Sequence, residues 1–142
     1  MKTLATLILA FLICACTTTP KNKFGSYLNQ DSENHLVASI AADTAIRLSS
    51  NFLPSQTKFY FNHTNDDFFG SVLTEQLREL GFAVAEFNVD SGKDGERLAY
   101  IIDKYDETKV LIRIYAGNTT YSRLYAIEQN IAQPFGAWSK ME

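Results

Sequence analysis

The sequence predicts an α+β domain in which two helices cover one face of a mixed, mainly antiparallel sheet, with elements in the order α-β-α-β-β-β-β. Three observations predict it. Residues 35–52 carry apolar groups at helical spacing, residues 57–87 read as strand, helix and strand, and residues 98–128 hold three β-rich runs parted by two short polar turns. Each helix then has one apolar stripe to bury, and the sheet offers one face to receive it.

The chain opens with Lys2 and a run from Leu4 to Ala15 that is apolar except for Thr6. That run is far below the roughly 20 residues a membrane-spanning helix needs, so a positive start and a short apolar stretch read as a secretory signal. It ends in Ile13-Cys14-Ala15-Cys16, which resembles the lipobox of bacterial lipoproteins: an aliphatic residue at minus three, a small residue at minus one, then the cysteine that is acylated. Cleavage before Cys14 would leave the branched Ile13 at minus one, so Cys16 is the expected lipidation site and first mature residue. The expected organisation is a signal peptide at 1–15, an acylated cysteine and tether at 16–34, and an α+β domain at 35–142. Each buried methylene contributes about 0.8 kcal/mol and one acyl chain holds only reversibly. The several chains usual in bacterial lipoproteins fix a domain to a membrane face without protein crossing it. Thr17 follows the cysteine, and by analogy with lipoprotein sorting this favours the outer membrane with the domain facing the periplasm.

Residues 17–34 are polar and punctuated by Pro20, as a tether is, although Phe24, Tyr27 and Leu28 offer apolar groups that can dock. The first helix is expected at about His35 to Phe52. Leu36, Ile40, Leu48 and Phe52 recur along it, Val37, Ala41 and Ala45 widen the stripe, Asp31, Ser32 and Asn34 supply caps, and Pro54 ends it. Asp43 and Arg47 are read as an i,i+4 pair on its outer face. Thr57 to Phe61 alternates as a strand, and Asn62 to Asn65 form a turn. Asp66 and Asp67 then start a second helix whose inner face holds Phe69, Val72, Leu73, Gln76, Leu77 and Leu80 before Gly81 stops it. Phe82 to Phe87 reads as an inner strand reached by a crossover, and Asn88 to Glu96 as an exposed loop. Leu98–Tyr105, Lys109–Ala116 and Thr119–Glu128 then form a meander about the turns Asp106-Glu107-Thr108 and Gly117-Asn118.

Composition narrows the function. The chain of 142 residues has a net charge of −3, and loss of Lys2 with the signal leaves 12 basic against 16 acidic residues, which offers no basic field for direct nucleic-acid binding. Removal of Cys14 and acylation of Cys16 leave no thiol for a disulfide or a thiolate metal site. His63 with Asp66 and Asp67 has the residue types of a divalent-metal site, but a capped strand-to-helix turn accounts for the same residues, so no metal and no cofactor is expected. Ser71 lacks the second glycine of a nucleophile elbow, and neither His35 nor His63 completes a catalytic constellation. Glu75 and Glu79 read as a solvated pair on the polar face of the second helix. The chain is not expected to be an enzyme. Tyr121, Arg123 and Tyr125 share one face of the last meander strand, with Trp138 close by if the tail folds back. Read as looking away from the helices, they form a candidate partner-binding patch, since tyrosine, tryptophan and arginine dominate interface energetics.

The lipobox, the segment Ala41-Ala42-Asp43-Thr44-Ala45, the Phe69-Gly70-Ser71 helix start running through Leu73-Thr74-Glu75-Gln76-Leu77 to Gly81-Phe82-Ala83-Val84, and the ending Ser122-Arg123-Leu124-Tyr125-Ala126 with Gly136-Ala137-Trp138-Ser139 together resemble TrbH, a conjugal-transfer lipoprotein family. The resemblance covers nearly the whole mature chain. It implies a structural component of a conjugative type IV secretion, or mating-pair-formation, apparatus at the outer membrane. Its implied partners are other secretion-channel proteins and further copies of itself in a ring, and it carries over no catalytic residues. A periplasmic ligand-binding or regulatory lipoprotein and a surface-exclusion lipoprotein are the alternative readings.

Overall fold

The computed structural model describes residues 27–28, 34–61, 67–86, 94–129 and 131–142. The signal segment, Cys16, Phe24, Asp31, Ser32, the turn at 62–65 with His63, Asp66, Phe87 and most of the loop at 88–96 lie outside the described residues. What is described is the expected α+β layer: two helices on one face of a seven-stranded mixed sheet.

Helix α1 (Asn34–Ser49) buries Leu36, Val37, Ile40, Ala41, Thr44, Ala45 and Leu48 on one stripe. Thr44 is fully buried, and its hydroxyl donates to the Ile40 carbonyl one turn back at 2.7 Å. The expected end at Phe52 lies a turn past the helix proper, although the Phe52 N–H still donates to the Leu48 carbonyl at 2.9 Å.

Helix α2 (Phe68–Glu79) begins at Asp67, whose carboxylate accepts from the Gly70 N–H at 2.8 Å. It buries Phe69, Leu73 and Leu77 but not Leu80, which is 40% exposed. Leu80 is the cap residue, not part of the last turn. The Phe82 N–H donates to the Leu77 carbonyl and the Gly81 N–H to that of Arg78, a Schellman closure in which Gly81 takes φ +90° and swings the chain away from the stripe. Phe82, 4% exposed, fills the core in its place.

The sheet is ordered β3-β2-β4-β5-β6-β7. Strands β2 (Lys58–Tyr60) and β3 (Ala83–Ala85) are parallel on either side of α2, and β2 runs parallel to the start of β4 (Glu96–Lys104). β4, β5 (Lys109–Ala116) and β6 (Thr119–Glu128) form the expected antiparallel meander. At the Asp106 turn the Lys109 ammonium, 2.9 Å away, and then the Thr108 N–H hold the carboxyl down at about 2. Aromatic rings join the layers, with Tyr100 of β4 centred 4.6 Å from Phe69 of α2 and its hydroxyl donating to Asp67.

Two strands were not anticipated. β1 (Tyr27–Leu28) pairs in parallel with Ile101 and Ile102 of β4, so the expected tether enters the sheet before α1 begins. β7 (Ile131–Met141) pairs with β6 as an edge strand. Pro134 and Gly136 break the alternation by which a strand is recognised in sequence. An edge tolerates both, because a missing N–H need not be supplied to a further neighbour and a bulge can be absorbed. Gly136 takes φ +96° where the β6–β7 register shifts between Ser122 and Leu124. Among the described residues no helix is long and apolar enough to cross a membrane.

Candidate functional site

Tyr121, Arg123 and Tyr125 do share one face of β6, but it is the face under the helices. Their register partners on β5 are Ile114, Ile112 and Val110, all in the core, and a strand cannot turn one residue outward without turning its whole set. Tyr121 is 2% and Tyr125 1% exposed, so as placed they fill the interior and are not surface anchors. Ser122, Leu124 and Ala126 take the opposite face. Strand alternation yields two sets without saying which one a helix covers, and the two tyrosines supply the bulk that the Ala-rich middle of α1 leaves unfilled.

Arg123 lies beneath α1. Its Nη1 donates to the Asp43 carboxylate at 2.8 Å, its Nε donates to the Gly136 carbonyl at 3.0 Å, and its guanidinium stands 5.8 Å from the Tyr125 ring and 5.7 Å from the Trp138 ring. The Tyr125 hydroxyl donates to the same Asp43 oxygen. Burial, and then that carboxylate, push the Tyr125 hydroxyl well above the usual phenol range. Asp43 and Arg47 therefore do not pair along the outer face of α1. Asp43 reaches down to β6, and the Arg47 guanidinium lies over the Tyr121 ring at 5.2 Å. Their spacing carried a signal for this, because Leu36, Ile40, Asp43 and Arg47 follow one another at intervals of four, three and four, as positions on one buried stripe do.

Trp138 reaches this cluster because the bulge sets residues 136–138 of β7 opposite Arg123 alone. It packs partly buried against the core. The tail thus folds back as the Trp138 reading required, by pairing with β6 rather than by lying over the sheet. One constellation unites α1, β6 and β7: Asp43, Arg47, Tyr121, Arg123, Tyr125 and Trp138.

Asp43 comes from the Ala41–Ala45 segment, Arg123 and Tyr125 from Ser122–Ala126, and Gly136 and Trp138 from Gly136–Ser139. Three sequence segments that carried the resemblance meet around the Asp43–Arg123 pair, although the first lies about eighty residues before the other two in the chain. The family model described as conjugal transfer protein TrbH matches residues 18–142. The chain belongs to the TrbH family. Comparison with curated proteins and with solved structures gives no match.

In this TrbH domain the remaining candidates are dispersed. Ser71 is exposed on α2. Glu75 and Glu79 border an open groove of about 450 Å³ with Ser71, Thr74, Arg78 and Glu86, in which Arg78 bridges Glu86 at 3.0 Å and Gln76 donates to Glu79. His63 and Asp66 lie outside the described residues, and Asp67 serves as a helix cap and the acceptor of the Tyr100 hydroxyl. Among the described residues no group of three or more His, Cys, Asp or Glu side chains is arranged to hold a metal ion.

Proposed function

We propose that this chain is a lipid-anchored structural component of the conjugative type IV secretion apparatus, held at the outer membrane through Cys16 with its domain facing the periplasm. It assembles there with other transfer proteins and further copies of itself and carries no catalytic activity. The observation that carries the reading is the family match over residues 18–142, which joins a conjugal-transfer domain directly to the lipobox ending at Cys16. A chain so built has one chemical attachment to the bilayer and keeps its folded surface for protein contacts.

Replacing Cys16 tests the anchor. Cys16→Ser is expected to abolish labelling by radioactive palmitate, to move the protein out of the membrane fraction and to lower conjugation frequency, while the melting temperature stays unchanged because the anchor is covalently remote from the core. Cys14→Ser should change none of these. Equal labelling of wild type and Cys16→Ser would refute the anchor, and undiminished transfer by the released protein would refute its role at the membrane. Produced alone in a recipient strain, the protein should leave plasmid uptake unaffected, whereas a block would favour surface exclusion.

A further inference from the structure

The two helices cover one face of the sheet, and among the described residues no element is layered on the other. On that open face the register sets Asp103, Leu111, Leu124 and Phe135 in one row across β4, β5, β6 and β7. Leu111 and Leu124 are half-buried, Phe135 is 55% exposed, and the three border a shallow groove of about 210 Å³ with Ser122 and Ala137. An apolar row left open to water gains by being covered. Arg113 stands beside Leu111 in the next row, level with Ile101 and Ser122. Asp103 and Arg113 are both exposed, and among the described residues neither makes an ion pair.

We propose that this face docks on the same face of a second copy, as a two-fold pair in which Asp103 of each chain meets the partner's Arg113. The proposal rests on the reading that the chain assembles with further copies of itself, and it names the surface. Charge selects a second copy as the occupant. The face offers one unpaired charge of each sign beside its apolar row, so it is complementary to itself under a two-fold exchange. The register supports the same exchange. Neighbouring strands lie about 4.8 Å apart and same-face residues of one strand about 6.8 Å apart, so an axis that exchanges the Asp103 and Arg113 positions runs diagonally across the sheet, close to Leu111 and Leu124. Each leucine then packs on its own counterpart. Phe135 comes over the partner's Ala126, the smallest side chain of the row Lys109, Ala126 and Gln133. The strands of the two sheets cross steeply, toward the orthogonal packing that stacked sheets adopt.

Sedimentation equilibrium of the full chain in density-matched non-ionic detergent, with micelles in excess over chains, tests the pair. The wild type is expected to dimerise with rising concentration. Asp103→Arg and Arg113→Asp should each weaken the dimer about tenfold or more, because like charges then face one another. The double exchange, Asp103→Arg with Arg113→Asp, should return it to within about threefold of wild type. Both positions are exposed, so the variants should keep the wild-type melting temperature. A wild type that stays monomeric at every concentration overturns the proposal, as does a dimer that neither single change weakens or a double exchange no stronger than the single ones. A chain that dimerises only after residues 17–26 are deleted assigns the face to its own lead and overturns the second copy. The measurement needs neither acylation nor plasmid transfer, so its failure leaves the anchor and the role in conjugation standing.

Discussion

Removing the Arg123 guanidinium would leave the Asp43 carboxylate, 28% exposed, with the Tyr125 hydroxyl as its remaining donor and the Gly136 carbonyl without its partner. Hydrogen bonds to charged groups contribute roughly 1.5–3 kcal/mol, and partial exposure places this pair toward the lower end. Arg123→Ala is therefore expected to destabilise the fold by about 2 kcal/mol. In a cycle with Asp43→Ala the two changes should show a coupling of about 1 kcal/mol, read from denaturant unfolding. Additive effects would mean that the pair does not hold α1 to β6. Tyr125 gives a second test, through pH. An unfolded tyrosine titrates near its ordinary pKa of about 10, whereas folding raises that of Tyr125. The neutral, buried phenol thus contributes stability that is fully present below pH about 10 and is lost as pH rises beyond it, where only the unfolded chain releases the proton. Tyr125→Phe should cost stability at neutral pH and show a shallower alkaline decline than the wild type. Parallel declines would indicate that Tyr125 ionises as readily folded as unfolded.

At the scale of elements, α2 shows how a cap decides which residues a helix buries. Leu77 is fully buried and Leu80, three residues on and nominally on the same stripe, is 40% exposed because the helix has already closed. A buried Leu→Ala change typically costs 2–5 kcal/mol, and a surface change stays within about 0.5 kcal/mol. Leu77→Ala should therefore lower the melting temperature strongly while Leu80→Ala leaves it nearly unchanged. Similar losses from both would show that Leu80 packs inside. The same elements show what was legible in the sequence. The two helices and the meander were recognisable because each repeats its apolar period over eight residues or more, long enough to outweigh single exceptions. β7 was not, because Pro134 and Gly136 interrupt its alternation, and β1 was not, because two residues carry no period at all. The cluster at Asp43 was legible as residues and not as a site. Alternation grouped Tyr121, Arg123 and Tyr125 correctly, but the side of the sheet on which they fall depends on the helices, which the strand's own pattern does not record.

For the whole molecule, pairing of Tyr27–Leu28 with β4 sets which end of the sheet the proposed anchor at Cys16 would approach. Tyr27 lies eleven steps along the chain from Cys16, and fully extended these reach at most about 40 Å. β1 runs parallel to β4, so its Tyr27 end is directed toward the start of β4, the end of the sheet where the Gly117 N–H donates to the Arg97 carbonyl at the Gly117–Asn118 turn. The Asp106–Thr108 turn lies at the other end, about 25 Å away along a strand of this length. With Cys16 in the bilayer, the Asn118 end is expected to face the membrane and the Glu107 end to point into the periplasm. Asn118 and Glu107 are both exposed, and under the proposed processing, which removes Cys14 and acylates Cys16, a cysteine introduced at either position would be the one free thiol available to a label. A fluorophore on Asn118→Cys should transfer energy more efficiently to headgroup-labelled acceptors than one on Glu107→Cys. The advantage should shrink when a glycine-serine segment is inserted after Thr19, since a longer lead relaxes the orientation. Equal transfer from both positions would show that the domain tumbles freely on its lead. A reversed ranking would place the tether's exit at the opposite end of the sheet and remove β1 as the element that orients the domain.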